Sequence, residues 1–315
     1  MIEHHIVRTN GIHLHVAEAG EGAPVILCHG FPESWYSWRH QLQPLADAGY
    51  RAIAPDQRGY GDSDRPKKVT DYDIEHLTGD LLGLLDEIGE EKAVFVGHDW
   101  GALIVWDMAR MYPERMKAAV GVSVPYIPFP AKPTEVFEML SQGDFFYILY
   151  FQDVGPAEQE LEADPRDTMA KVLYWASGEG MAGREPTLMS GLPREGTGFL
   201  TQAGEPPAEL PEWLTDDDID TYAQQFAKSG FFGGLSYYRN LDRNWDLTNH
   251  LGPERMTMPT YFIGGDRDPV PGDTTAMQSL PDFRGSATLP GVGHWTQQED
   301  PAGFNDALLT FLKSI

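Results

Sequence analysis

Ala93-Val94-Phe95-Val96-Gly97-His98-Asp99-Trp100-Gly101-Ala102 is the stretch whose reading decides the fold. The apolar run Ala93 to Val96 reads as a buried strand, and Ala102 to Met111 reads as a helix. Between them lie two glycines, Gly97 and Gly101, on either side of a turn centred on Asp99. Glycine tolerates the backbone that so abrupt a passage from strand to helix needs. The turn pushes the side chain at its apex out at the carboxyl end of the strand, where open α/β sheets bind ligands.

Working outward, the same rhythm recurs. Residues 4–9 and 12–18 read as two strands joined by the hairpin signal Asn10-Gly11. Pro24 to Cys28 is a short buried strand that runs into His29-Gly30-Phe31-Pro32. Ser37 to Ala48 reads as a helix and Arg51 to Pro55 as the next strand, followed by the glycine-punctuated loop Asp56 to Ser63. Ile74, Leu77, Leu81, Leu84, Leu85 and Ile88 recur at helical spacing. Lys117 to Ser123, Thr260 to Ile263 and Ser286 to Leu289 are further strands, and Phe304 to Leu312 closes the chain as a helix. Strands alternating with helices imply an α/β fold with a mostly parallel sheet covered on both faces.

After Val124-Pro125 the alternation stops, and it resumes near residue 246. The organisation expected is a core of residues 1–125 and 246–315 with a helical insertion at 126–245. Asp216 to Asp218 open a helix carrying Ile219, Tyr222 and Phe226, so capping explains them better than metal binding does. His13 and His15 share one face of a strand without further ligands at metal spacing, and a surface pair is expected.

The chain has 315 residues, 41% of them apolar, and a formal net charge of -25. That charge argues against nucleic acid and anionic membranes as partners. Cys28 is the single cysteine and ends an apolar run, so it reads as a core residue. No basic region followed by an apolar run opens the chain, and no apolar stretch is of bilayer length, so a cytoplasmic location is expected.

Asp99, Asp268 and His294 each follow a strand, in the order nucleophile, acid, histidine. Strand, G-x-[nucleophile]-x-G turn and helix, with this order of partners, define the elbow of α/β-hydrolases, which usually carry serine at the apex. Aspartate changes the chemistry. A carboxylate attacking saturated carbon gives an alkyl ester that water can cleave, whereas serine would give an inert ether. The carboxylate is already ionised at neutral pH, so His294 is free to activate water in a second step. Backbone amides of Phe31 and Trp100 are the natural oxyanion donors. The substrate should therefore carry an electrophilic saturated carbon: an epoxide, a haloalkane or a haloacid. Spacing alone leaves the supporting acid open between Asp266 and Asp268. It also leaves open which of the insertion's tyrosines could protonate a leaving alkoxide.

The chain resembles the soluble epoxide hydrolases of the α/β-hydrolase fold over nearly its whole length. The resemblance rests on His29-Gly30-Phe31-Pro32-Glu33-Ser34, Asp56-Gln57-Arg58-Gly59-Tyr60-Gly61, Gly97-His98-Asp99-Trp100-Gly101-Ala102 and Gly293-His294-Trp295-Thr296-Gln297. In the insertion it rests on Phe145-Phe146-Tyr147-Ile148-Leu149-Tyr150-Phe151-Gln152 and Tyr237-Tyr238-Arg239-Asn240. It implies Asp99 as nucleophile, His294 with Asp268 as the water-activating pair, and Tyr147 and Tyr238 as acids in a helical cap. It implies Phe31 and Trp100 as oxyanion donors, a substrate lining of Phe31, Trp100, Phe145 and Phe151, and a cis peptide at Phe31-Pro32. An epoxide and water are the partners implied, with no metal or cofactor, and a homodimer is left open. No counterpart of the mammalian enzyme's N-terminal phosphatase domain is expected, and the segment from about 178 to 212 matches nothing residue by residue. The rivals are a dehalogenase using the same aspartate and a non-catalytic ligand-binding protein on this fold. Phe31 stands where haloalkane dehalogenases usually offer asparagine, and Trp100 stands where fluoroacetate dehalogenases have arginine.

Overall fold

The computed structural model describes residues 1–184, 187–188 and 191–315. Of the unassigned 178–212 segment, Glu185, Pro186, Met189 and Ser190 lie outside the described residues. Among the described residues eight strands form one sheet: β1 (Glu3–Thr9), β2 (Ile12–Ala19), β3 (Ala23–Cys28), β4 (Tyr50–Pro55), β5 (Ala93–His98), β6 (Met116–Val122), β7 (Thr260–Gly265) and β8 (Phe283–Leu289). Their order is β1-β2-β4-β3-β5-β6-β7-β8. β2 runs antiparallel to β1 and β4, and the other pairs are parallel. The Asn10-Gly11 turn joins the first hairpin with both residues at positive φ, 43° and 80°.

Alternation along the central strands divides the apolar side chains between two cores. Val25, Leu27, Val94, Val96 and Val120 face Trp38, Leu42, Phe304, Leu308 and Phe311. Ile26, Phe95 and Ala119 face Leu77, Leu81, Leu84, Ile104, Val105 and Met108. The first cover is α1 (Arg39–Asp47) with the C-terminal helix Pro301–Leu312, and the second is α2 (Ile74–Glu87) with α3 (Trp100–Met111). The helix expected at 37–48 divides into a 3-10 turn, Trp35–Trp38, and α1. Ser34 accepts the Tyr36 N–H and caps that turn.

Between β6 and β7 the chain forms only helices and loops among the described residues, from Pro133–Ser141 to Leu241–Thr248. Asp216 to Asp218 do open a helix, Asp216–Ser229. The Thr215 hydroxyl accepts the Asp218 N–H, and the Asp218 carboxylate accepts the Thr215 N–H at 2.9 Å. Asp218 also ties the insertion to the core, pairing with Arg39 at 3.0 Å and accepting the Tyr36 hydroxyl at 3.0 Å.

One expectation needs correction. His13 is exposed and lies 3.0 Å from Asp64, but His15 is buried. The chain after β4 folds over it: the Asp56 N–H donates to the His15 carbonyl, and Asp56 Oδ2 lies 2.7 Å from His15 Nδ1. A strand's two-residue period shows that the two histidines share a face, but not that a later loop covers half of it.

The glycines of the β5–α3 turn are required by close approach. A Cβ on Gly97 would strike the Gly101 carbonyl, and one on Gly101 would strike the Cys28 carbonyl. Since those neighbours are backbone and cannot rotate away, Gly101→Ala should lower stability by about 1–3 kcal/mol, the usual range for overpacking. Urea unfolding followed by tryptophan fluorescence measures it, with an unchanged midpoint as the contrary result.

Candidate active site

Asp99 sits between β5 and α3 with φ 53° and ψ −116°, a conformation rare for any residue with a side chain. It is held there by its N–H on the Val122 carbonyl and by the first turn of α3, in which the Ala102 N–H donates to the Asp99 carbonyl. Gly30 leaves no room for a side chain of its own, because the Asp99 carboxylate occupies that space. The loop after β3 thus lies directly against the elbow. The Phe31 N–H donates to Asp99 Oδ1 at 2.8 Å, and the Phe31-Pro32 peptide is cis.

His294 arrives from the loop after β8. Its Nε2 lies 3.5 Å from Asp99 Oδ2, and its Nδ1 lies 3.0 Å from Asp268 Oδ1. Of the two acids that spacing left open, it is Asp268 that contacts the imidazole. Asp268 is buried beside the imidazole, while Asp266 accepts the Gly291 N–H at 2.7 Å as a turn residue. Asp268 Oδ1 also accepts the Val270 N–H at 2.8 Å, which fixes its orientation.

Burial would raise the Asp99 carboxyl, but His294, His98 and the Phe31 amide outweigh it and hold the group below the ordinary carboxylate range. Burial would lower His294, but Asp268 and then Asp99 push it well above the ordinary imidazole value. In the free protein the two therefore form an ion pair.

Above this pair the insertion contributes aromatic rings. Tyr147 begins the short helix Tyr147–Tyr150, and Tyr238 lies in the helix Phe232–Arg239. Their ring centroids are 6.1 Å apart, and Tyr238 packs edge-on against Trp100 at 5.0 Å and Phe31 at 5.5 Å. Burial first, then the Asp99 charge, raises both phenols well above the ordinary tyrosine value, so both keep their protons at neutral pH. Other tyrosines are used structurally: the Tyr237 hydroxyl donates to the Arg58 carbonyl, and the Tyr222 hydroxyl donates to Gln298. The helix bearing Tyr238 can come down onto the core because Gly233 abuts Gly59 and Gly234 abuts the Phe31 ring and Tyr60 hydroxyl.

Of the expected lining, Phe31, Trp100 and Phe151 gather around the tyrosines; Phe151 lies 5.4 Å from Tyr147 and 5.1 Å from Tyr238. Phe145 stands apart. Its ring packs on Tyr150 and its N–H donates to the Leu192 carbonyl, because it precedes the helix whose inner face carries Tyr147 and Phe151. Phe199 completes the cage instead, 5.1 Å from both Tyr147 and Phe151. It sits in a segment with no motif to single it out.

Sequence reasoning also missed Glu33. This buried carboxylate accepts the Gly30 N–H, lies 2.6 Å from His98 Nδ1 and accepts the side-chain amides of Gln297 and Gln298. His98 Nε2 in turn donates to the His294 carbonyl at 2.7 Å. One acid thus joins the Phe31 loop, the elbow and the histidine loop from beneath.

This fold and this site define an α/β-hydrolase with an aspartate on its elbow and tyrosines over it. Comparison with known proteins agrees. A family profile described as "alpha/beta hydrolase fold" matches residues 23–177. Over 98% of its length the chain is 46% identical to epoxide hydrolase A of Mycobacterium tuberculosis, covering 97% of that protein. It is 39% identical to an epoxide hydrolase of Caballeronia sordidicola, with 100% of this chain and 94% of that protein covered. The crystal structure of epoxide hydrolase A from Mycobacterium thermoresistibile superposes with a TM-score of 0.92 at 45% identity, covering 99% of this chain and 98% of the other. An epoxide hydrolase from an endophytic Streptomyces gives 0.91 at 38% identity, with coverage of 99% and 96%. The chain belongs to the epoxide hydrolases: it is an enzyme that hydrolyses epoxides, with an epoxide and water as substrates. Among the described residues no helix is long and apolar enough to cross a membrane.

The ion pair makes its own prediction. Asp99→Asn keeps the shape and removes one of the two charges that raise His294, so the imidazole should titrate lower in the variant than in the parent. A proton or nitrogen NMR titration of His294 reads this directly, and an unchanged midpoint would mean that Asp99 does not support the imidazolium.

Proposed function

We propose that Asp99 attacks a ring carbon of the epoxide and forms an alkyl ester, which water activated by His294 then hydrolyses to a vicinal diol. The observation that carries this reading is the elbow carboxylate itself: ionised, 3.5 Å from an imidazole and facing two protonated phenols. A carboxylate is a competent nucleophile toward saturated carbon without a base, and a strained epoxide supplies the electrophile. The alkoxide that leaves needs a proton donor, and Tyr147 and Tyr238 take that role.

The electrostatics then change by themselves. Once Asp99 is an ester its charge is gone, and one of the two supports of the imidazolium goes with it. The imidazole falls toward the range of a general base, while Asp268 remains to stabilise the charge it acquires on taking a proton from water. The oxyanion formed at the ester carbonyl meets the Phe31 N–H, which already lies on Asp99 Oδ1, and the Trp100 N–H at the start of α3. Phe31, Trp100 and Phe151 act as apolar walls for the substrate in this reading.

In this reading residues 126–245 form a cap over a core of residues 1–125 and 246–315. The same reading takes the protein as cytoplasmic and as a detoxifying enzyme. One buried cysteine with no partner for a disulfide among the described residues is consistent with a reducing compartment.

His294→Gln should stop the second half-reaction, so the alkyl ester accumulates as an intact-protein mass increase equal to the epoxide. Full turnover with an unmodified mass would remove His294 from this role. Tyr147→Phe and Tyr238→Phe should each slow ester formation by roughly 10²-fold, the usual size of a general-acid contribution. Rapid-quench measurement of ester formation checks this, and unchanged rates in both variants would leave the alkoxide without a donor.

A further inference from the structure

A further carboxylate, besides Asp268 and Glu33, binds the histidine loop. Glu299 ends the short helix Thr296–Glu299. Its Oε2 accepts the N–H of Gly293 at 2.8 Å and that of Gly178 at 2.8 Å, and its Oε1 accepts the N–H of Trp295 at 2.9 Å. Gly293 and Trp295 are the two chain neighbours of His294, and Gly178 belongs to the insertion. The His294 N–H itself donates to the Ala176 carbonyl at 2.8 Å. Arg267, from the loop that carries Asp268, donates to the Gly178 carbonyl at 3.2 Å. The two segments touch backbone to backbone: a Cβ on Gly178 would strike the Gly291 carbonyl, and one on Gly293 would strike the Gly178 nitrogen.

We propose that Glu299 is a positioning residue for His294: by binding the amides on both sides of the histidine and one amide of the insertion, it locks the histidine loop to the insertion for the water-attack step. The proposal rests on the reading of His294 as the base of ester hydrolysis. Three N–H donors meet two oxygens, and only an ionised carboxylate, which has acceptors alone, satisfies all three. A protonated carboxyl, or a glutamine amide, turns a donor against one of those N–H groups.

The carboxylate is poised near that change. Burial pushes it up to about 7 although the amides of Gly293, Gly178 and Trp295 hold it down, and the charge of Glu179 adds to the rise. The charged groups at this junction are Glu179 from the insertion and Arg267 from the Asp268 loop. As pH falls through about 7, Glu299 takes up a proton and one of the three N–H groups loses its acceptor. Ester formation depends less on this anchor, because the Phe31 N–H holds Asp99 Oδ1 and the two tyrosines lie on helices that Glu299 does not bind. Glu299 should therefore govern decay of the alkyl ester and leave its formation alone, a split that general loss of structure does not produce.

The test is rapid-quench mass spectrometry on the full chain with styrene oxide, reading formation and decay of the Asp99 ester separately across about pH 5–9 (roughly two units to either side of the carboxyl's midpoint). Glu299→Gln should slow decay by roughly 10-fold or more, the scale of a small displacement of a catalytic group, with formation within about twofold of the parent. Decay in the parent should fall on the acid side of about 7 as Glu299 and the His294 base take up protons, and in the variant only the His294 limb should remain. Unchanged decay, or formation and decay falling by the same factor, overturns the proposal. If Glu299→Gln does not fold by circular dichroism, Glu299→Asp keeps the charge but withdraws it by one methylene and carries the same requirement of slowed decay with unchanged formation. His294→Gln runs alongside: absence of any ester on Asp99 in that variant overturns the underlying reading of His294, whatever Glu299 does.

Discussion

A carboxylate withdrawn from bulk water stays ionised only where donors replace the water it has lost. Asp99 meets that constraint with the Phe31 amide on one oxygen and His294 beside the other. Neither donor is near it in sequence. The first comes from the loop after β3 and the second from the loop after β8, so the site exists only when the parallel sheet brings three strand ends together. The glycines at 30, 97 and 101 follow from the same demand, since each lets one of these loops approach where a side chain would collide.

The division of labour between core and insertion has a simple physical basis. The sheet and its loops supply the charged groups, held by backbone amides and by buried Glu33 and Asp268. The insertion supplies aromatic rings and phenols that burial keeps protonated. Tyr237 and Tyr238 show how local geometry separates roles. Consecutive residues on a helix point about 100° apart, so one hydroxyl is spent on the Arg58 carbonyl while the next ring lies over Trp100 and Phe31.

Most of the core was legible in the sequence because its signals are local. The apolar runs, the helical spacing from Ile74 onward and the glycines around Asp99 each specify an element within a few residues, and observed boundaries differ from expectation by only a few positions. Asp99 and His294 were legible because order along the chain maps onto order of strand ends. What was not legible depended on approach over long separations. Asp266 and Asp268 look alike until the loop after β8 is placed, whereupon one meets a glycine amide and the other an imidazole. His15 looked like a surface residue until the chain after β4 covered it. Glu299 carries no motif of its own, because its partners are backbone amides, which every residue has, and the role of Glu33 depends on His98, Gln297 and Gln298, which the fold brings to it from far along the chain. Phe145 and Phe199 exchanged places for a related reason: membership of an aromatic stretch does not say which ring turns inward.

The covalent route is tested most directly by a single turnover of excess enzyme over epoxide in water enriched in heavy oxygen. Attack by the Asp99 carboxylate transfers one of its own unlabelled oxygens to the diol, and hydrolysis of the ester returns labelled oxygen to the carboxylate. Peptide mass spectrometry should therefore find the label in Asp99 after one turnover, with the first diol unlabelled. Label found directly in the diol, with Asp99 unchanged, would mean that water attacks the epoxide itself and would contradict the account.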